Sequence, residues 1–115
     1  MKVIQQLIYL ALAGGLFLYS QEINDLERIS STAASYYNEG NYNNAIIFYE
    51  DLLAKQEQKY GYENIAVAGT LTKLGELYKR LGMIEIADYY FQEAIIITTQ
   101  NNNSYITISF NIFLN

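Results

Sequence analysis

Between residues 67 and 81 the apolar positions Val67, Leu71, Leu74, Tyr78 and Leu81 are spaced 4, 3, 4 and 3 apart, one stripe of an amphipathic helix. Gly82 follows, a residue free to take the left-handed conformation in which helices commonly end. The next run, from Ile84 to Thr99, sets Ala87, Phe91 and Ala94 on one face, small residues admitting a neighbouring helix and a ring filling the gap. The pattern predicts an antiparallel helix pair. It also occurs earlier: Leu26, Ile29, Ala33 and Tyr36 are spaced 3, 4 and 3, Gly40 is the stop, and Ala45, Tyr49 and Leu52 lie on the return helix. Tyr36 pairs with Tyr78, Gly40 with Gly82, Ala45 with Ala87 and Tyr49 with Phe91, all at an offset of 42. Between the copies, Tyr60-Gly61-Tyr62-Glu63-Asn64 reads as a turn, with Asn64 as the cap of the following helix.

The two ends of the chain follow other patterns. Lys2, an uninterrupted apolar stretch of 13 residues from Leu7 to Tyr19, and a small residue at Ser20 form the three parts of a signal peptide. Cleavage is expected after Ser20, with Ala11-Leu12-Ala13 as the alternative exit. The stretch is short of the roughly 20 apolar residues of a spanning helix, which makes an uncleaved membrane anchor the lesser alternative. At the other end, Ile106, Ile108, Phe110, Ile112 and Leu114 alternate with Tyr105, Thr107, Ser109, Asn111 and Phe113 after the polar run Gln100 to Asn103. Period two predicts a half-buried strand. The last helix carries Met83, Ile84, Ile86, Tyr89, Tyr90, Ile95, Ile96 and Ile97 outside its Ala87, Phe91 and Ala94 face, so it is apolar on nearly every side. Such a helix needs a cover: the tail, a second copy of the chain, or further repeats.

Leu71-Thr72-Lys73-Leu74-Gly75-Glu76-Leu77-Tyr78, then Gly82, Ala87, Phe91 and Ala94, resembles the tetratricopeptide repeat consensus. The first copy is poorer, with Ile29, Thr32 and Ala33 at the Leu, Leu and Gly positions, and the proline that often closes the motif is missing from both. The family period is usually 34, so this repeat is longer by about two helical turns. In that length, and in Lys59-Tyr60-Gly61 and Val67-Ala68, it resembles the kinesin-light-chain-like subclass. The resemblance implies an all-α fold, an α-solenoid of two antiparallel helix pairs. The expected organisation is a signal peptide at 1–20, a repeat domain at 22–100 with repeats at about 24–59 and 64–100, and a polar linker with a strand-like tail at 101–115.

Composition narrows the chemistry. The chain has no Cys, His, Pro or Trp, so the usual zinc ligands, a thiol nucleophile and an imidazole base are all missing. Twelve acidic and seven basic residues give a net charge of -5, without the clustered basic surface that nucleic acid requires. Glu50, Asp51, Glu57, Glu85, Asp88 and Glu93 read as solvated helix faces rather than catalytic or metal-binding pairs. No catalytic, cofactor or metal site is expected. Asn102-Asn103-Ser104 fits the N-glycosylation pattern, which matters only in a eukaryotic secretory pathway.

Tyr36, Tyr49 and Tyr78 take core positions of the repeat, and Tyr42 follows the turn glycine at a place where the family often has tyrosine. The resemblance implies that the first helix of each pair lines a concave groove. Its candidates are Ser30, Ala34, Tyr37 and Asn38 from the first repeat, and Thr72, Lys73, Glu76, Lys79 and Arg80 from the second. Lys73, Lys79 and Arg80 are three of seven basic residues; they read first as a solvated helix face, and alternatively as a cluster suited to an acidic peptide segment. The carboxylate clamp of chaperone-tail-binding members is not carried over, since Ser30, Ala34 and Gly69 stand near its Lys and Asn positions. The expected function is a non-catalytic scaffold binding a protein or peptide, with self-association through the last helix. The alternative is the regulatory N-terminal piece of a longer secreted enzyme, for example one with a caspase-like peptidase. The expected location is periplasmic or secreted. Intact-mass measurement is expected to give a processed chain beginning at Gln21, whereas Met1 to Tyr19 retained in an alkali-resistant membrane fraction would establish an anchored chain instead.

Overall fold

A computed structural model describes residues 2–114, and the side chains of residues 2–18, 21, 24–104 and 114 among them. Four helices follow in order: α1 Lys2–Asn38, α2 Tyr42–Tyr60, α3 Ile65–Arg80 and α4 Ile84–Leu114. α1 packs on α2 and α3 on α4 as antiparallel pairs, and α2 packs on α3 to join them. The α-solenoid of two pairs thus stands as expected.

The two tight turns are built alike. Asn41 N–H donates to the Tyr36 carbonyl at 2.9 Å and Gly40 N–H to Tyr37 at 3.1 Å; Met83 donates to Tyr78 at 2.9 Å and Gly82 to Lys79 at 3.0 Å. These paired bonds close the orphan carbonyls of α1 and α3, and they require the left-handed φ of 75° at Gly40 and 77° at Gly82. The longer turn between repeats takes Gly61 at φ 83°. It ends where Asn64 caps α3, its side chain accepting from Ala66 N–H at 2.9 Å.

Packing repeats along with the turns. Ile29, Ala33, Ala45, Ile46, Tyr49 and Leu52 from the first pair enclose Leu74 and Leu77 of α3. Val67, Ala68, Leu71, Ala94 and Ile97 form the second cluster, with Leu53 of α2 packed against it. The tightest approach is at Gly75, where an added Cβ would stand 2.6 Å from Cε1 of Phe91. α4 can lie this close only because α3 has no side chain there. Thr70, the buried polar residue, donates to the Gln56 side chain at 2.6 Å across the α2–α3 seam.

Three expectations change. The tail is not a strand: α4 continues as helix to Leu114, although the alternating side chains from Tyr105 to Phe113 lie outside the described residues. A strand leaves its backbone groups to a neighbour, and no strand occurs among the described residues; a helix satisfies them within the segment. The polar run does not break it, because Thr98, Asn101 and Ser104 donate to the carbonyls of Ala94, Ile97 and Gln100. Ile97 is fully buried and Tyr90 half-buried, so both belong to the packed side of α4 rather than its outside. α1 runs unbroken through Ser20, with Val3 to Leu18 exposed on every side. Such projecting helices account for a radius of gyration of 19.4 Å against about 13 Å for a compact chain of this size. No described helix is long and apolar enough to cross a membrane.

The Gly75 contact separates two substitutions that local helix preference treats alike. Gly75→Ala is expected to destabilise by about 1–3 kcal/mol through forced displacement of the Phe91 ring, against about 1 kcal/mol regained from helix preference. Gly69→Ala, with nothing within 4 Å of its added Cβ, is expected to raise Tm instead. Thermal unfolding followed by circular dichroism checks the opposite signs.

Candidate functional site

The groove is built where the end of α3 lies against the end of α1. The Arg80 guanidinium stands 5.3 Å from the Tyr37 ring centre and 5.7 Å from that of Tyr42. Its Nε donates to the Tyr37 hydroxyl at 3.1 Å and its Nη1 to the Tyr42 hydroxyl at 3.4 Å. One cation thus holds two rings whose centres are 6.0 Å apart. On the other side of Tyr37, the Lys73 ammonium stands 5.5 Å from the same ring and donates to Glu76 Oε2 at 3.1 Å. That hydrogen bond raises the pKa of Lys73, and the one to Tyr37 raises that of Arg80, so both remain charged across the physiological range.

Tyr37, Glu76, Lys79 and Arg80 line a hollow of about 520 Å³. Lys79 is exposed, and its ammonium forms no ion pair or hydrogen bond among the described residues. Tyr49, 6% exposed, lies beneath: burial pushes its hydroxyl pKa up, while the nearby Lys73 charge works against that rise. The local chain explains the placement. Tyr37 is the second-last residue of α1 and Tyr42 the first of α2, so the Gly40 turn sets their rings side by side. Arg80 ends α3 just before the equivalent turn.

Five of the six foremost groove candidates, Tyr37, Lys73, Glu76, Lys79 and Arg80, are therefore brought together. Asn38 stands exposed at the end of α1, and no hydrogen bond among the described residues ties it to them. Ser30 and Ala34 line a separate hollow with Leu52 and Gln56, and Thr72 lines another with Phe91 and Ala94. Tyr42 was missed as a groove residue. Its position two residues past Gly40 explained it as packing, and a contact with Arg80, 38 residues away, has no local sequence signal.

The seam beside the groove carries a second linkage. Tyr78 of α3 stacks on Tyr90 of α4 with ring centres 5.5 Å apart, as Tyr36 stacks on Phe48 at 5.5 Å one repeat earlier. The Tyr78 hydroxyl donates to Glu50 Oε1 at 3.0 Å, tying the second repeat to α2 of the first. Burial, aided by this hydrogen bond, pushes its pKa up to about 12.

The tetratricopeptide repeat family profile matches residues 29–100, which takes in both turns, both tyrosine stacks and the whole groove. No curated protein is similar enough to count as a relative.

Alkali should expose the Tyr78 linkage. An unfolded tyrosine loses its proton near 10 and the folded Tyr78 near about 12, so the folded state binds more protons between those values. The stability this contributes is complete below pH 10 and is lost as pH rises from 10 to 12. Tm is expected to fall over that window, and to fall less in Tyr78→Phe; equal falls in both proteins would count against the linkage.

Proposed function

The chain belongs to the tetratricopeptide repeat family, and from that premise we propose that it is a non-catalytic binding module whose groove takes an acidic segment of a partner protein. Members of this family generally mediate protein–protein interaction. The observation that carries the acidic specificity is the cation cluster: Lys73, Lys79 and Arg80, three of seven basic residues in a chain of net charge -5, stand together around Tyr37. A guanidinium has five N–H donors. Arg80 spends two on tyrosine hydroxyls, which fix its plane, and the others face outward where a carboxylate can accept them. Lys79 adds an unpaired charge at the rim, which speeds encounter more than it tightens binding. Tyr37 and Tyr42 supply flat apolar area at little entropic cost.

The groove reading fits an extended or helical peptide better than a small molecule. Its hollow is open, and its recognition groups are spread along one helix end rather than converging in an enclosed cavity. The 42-residue repeat further supports placement in the kinesin-light-chain-like subclass, and the Lys2 and Leu7 to Tyr19 leader supports export to the periplasm or outside the cell.

A labelled acidic peptide of mixed Glu and Asp, followed by fluorescence anisotropy, tests the groove. It is expected to bind more tightly than its Gln and Asn counterpart. Joint reversal by Lys73→Glu, Lys79→Glu and Arg80→Glu is expected to weaken it by at least about tenfold, about 1.4 kcal/mol, with helicity retained because these side chains are exposed. Equal binding of the two peptides, or binding that survives the triple reversal at physiological salt, would sink the proposal.

A further inference from the structure

On an isolated helix Glu76 would hold Arg80. A carboxylate four residues ahead of a cation is the favoured pairing along a helix, and Lys79, three residues on, offers a second partner. Among the described residues no ion pair joins Glu76 to either of them. Glu76 instead turns back to Lys73, three residues earlier, whose Nζ donates to its Oε2 at 3.1 Å. That is the less favoured order, with the cation ahead of its carboxylate.

Tertiary packing accounts for the exchange. Tyr37 from α1 and Tyr42 from α2 take the Arg80 guanidinium on their hydroxyls, at 3.1 Å to Nε and 3.4 Å to Nη1, and offer it their ring faces as well. Tyr37 also stands beside the Lys73 ammonium, 5.5 Å from the ring centre, so the side chain that draws Arg80 away is a neighbour of the lysine that receives Glu76. The Lys73–Glu76 pair is solvated, with side chains 47% and 38% exposed, and such pairs hold weakly. Its strength therefore does not keep Glu76 from Arg80; the two tyrosines do. Glu76 nevertheless walls the same hollow as Tyr37, Lys79 and Arg80.

We infer that Glu76 is a built-in competitor for the partner's carboxylate, and that Tyr37 and Tyr42 are positioning residues that keep Arg80 open to the partner by holding it off Glu76. The inference rests on the acidic-segment reading of the groove and adds what sets its affinity. A carboxylate arriving at Arg80 and Lys79 meets a like charge already on the wall, which lowers affinity and penalises dense negative charge. Without the two hydroxyls, Glu76 would close on Arg80 from within its own helix, and the partner would have to displace it.

A mutant cycle on the full chain, read with the labelled Glu and Asp peptide, tests this. Its members are the native protein, Glu76→Gln, the double variant Tyr37→Phe with Tyr42→Phe, and all three substitutions together. Phenylalanine keeps both rings and removes only the hydroxyls, so helicity is expected to stay unchanged throughout. Glu76→Gln is expected to bind the peptide about threefold more tightly than the native protein, and the double variant about threefold less tightly, the scale of one exposed ion pair. Once Glu76→Gln is present, the two tyrosine substitutions are expected to cost almost nothing. An equal loss in both backgrounds would overturn the inference, because the hydroxyls would then act on the peptide directly; so would native affinity in Glu76→Gln. Failure of the acidic reading looks different: the native protein would bind the Gln and Asn peptide equally well. The free protein gives a reading that needs no peptide. Glu76→Gln is expected to move the Arg80 Nε–H resonance in the double variant and to leave it in place in the native background; no movement in the double variant overturns the inference as well.

Discussion

The approach of α4 to α3 over Gly75 sets the geometry from which the rest follows. With no Cβ on Gly75, the Phe91 ring lies directly on the helix backbone, and Ala87 and Ala94, one turn to either side, are small enough to let the axes stay close. The first repeat reaches the same end with Ala33 and Tyr49, both buried, at the equivalent positions. Close helix pairs require short, sharply defined turns. Gly40 and Gly82 provide them through the same two backbone hydrogen bonds.

A pair fixed in this way cannot bury both of its faces alone, and the α2–α3 seam is where the two pairs satisfy one another. Leu74 and Leu77 enter the first cluster, Thr70 and Gln56 close a buried polar contact, and Tyr78 reaches Glu50. The groove is a product of that seam. Arg80 and Tyr37 are 43 residues apart and belong to different repeats, so their hydrogen bond exists only when the repeats are stacked in one register. Tyr49 shows the coupling most directly, being a core residue of the first repeat whose hydroxyl feels Lys73 and Glu76 of the second. The cluster around Tyr37 is therefore as rigid as the stack beneath it.

Features set by local spacing were legible from the amino-acid order: the stripes ending at Tyr36 and Tyr78, the stops at Gly40 and Gly82, and the cap at Asn64. That Tyr37, Lys73, Glu76, Lys79 and Arg80 lie close together was legible, because one face of one helix gathers most of them. Tyr42 was not, since its role comes from a cation brought in by tertiary packing. The tail misled for a physical reason. Period two describes where side chains point in a strand, but a strand also needs a hydrogen-bonding neighbour, and Asn101 instead ties α4 to the carbonyls of Ile97 and Glu63 at 2.8 Å each. Ile97 and Tyr90 were misplaced because a helix apolar on nearly every side does not itself declare which side is packed.

Native-state hydrogen exchange resolved by residue bears most directly on the claim that the two repeats are one cooperative unit from which the groove is made. The account predicts that the amides of α2, α3 and the first half of α4 open together, with a common free energy and a common dependence on denaturant, while residues 2–18 exchange far faster because their side chains are exposed. Separate opening of α1–α2 and α3–α4, each with its own free energy, would contradict it, since Arg80 and Tyr37 would then sit on independently moving bodies.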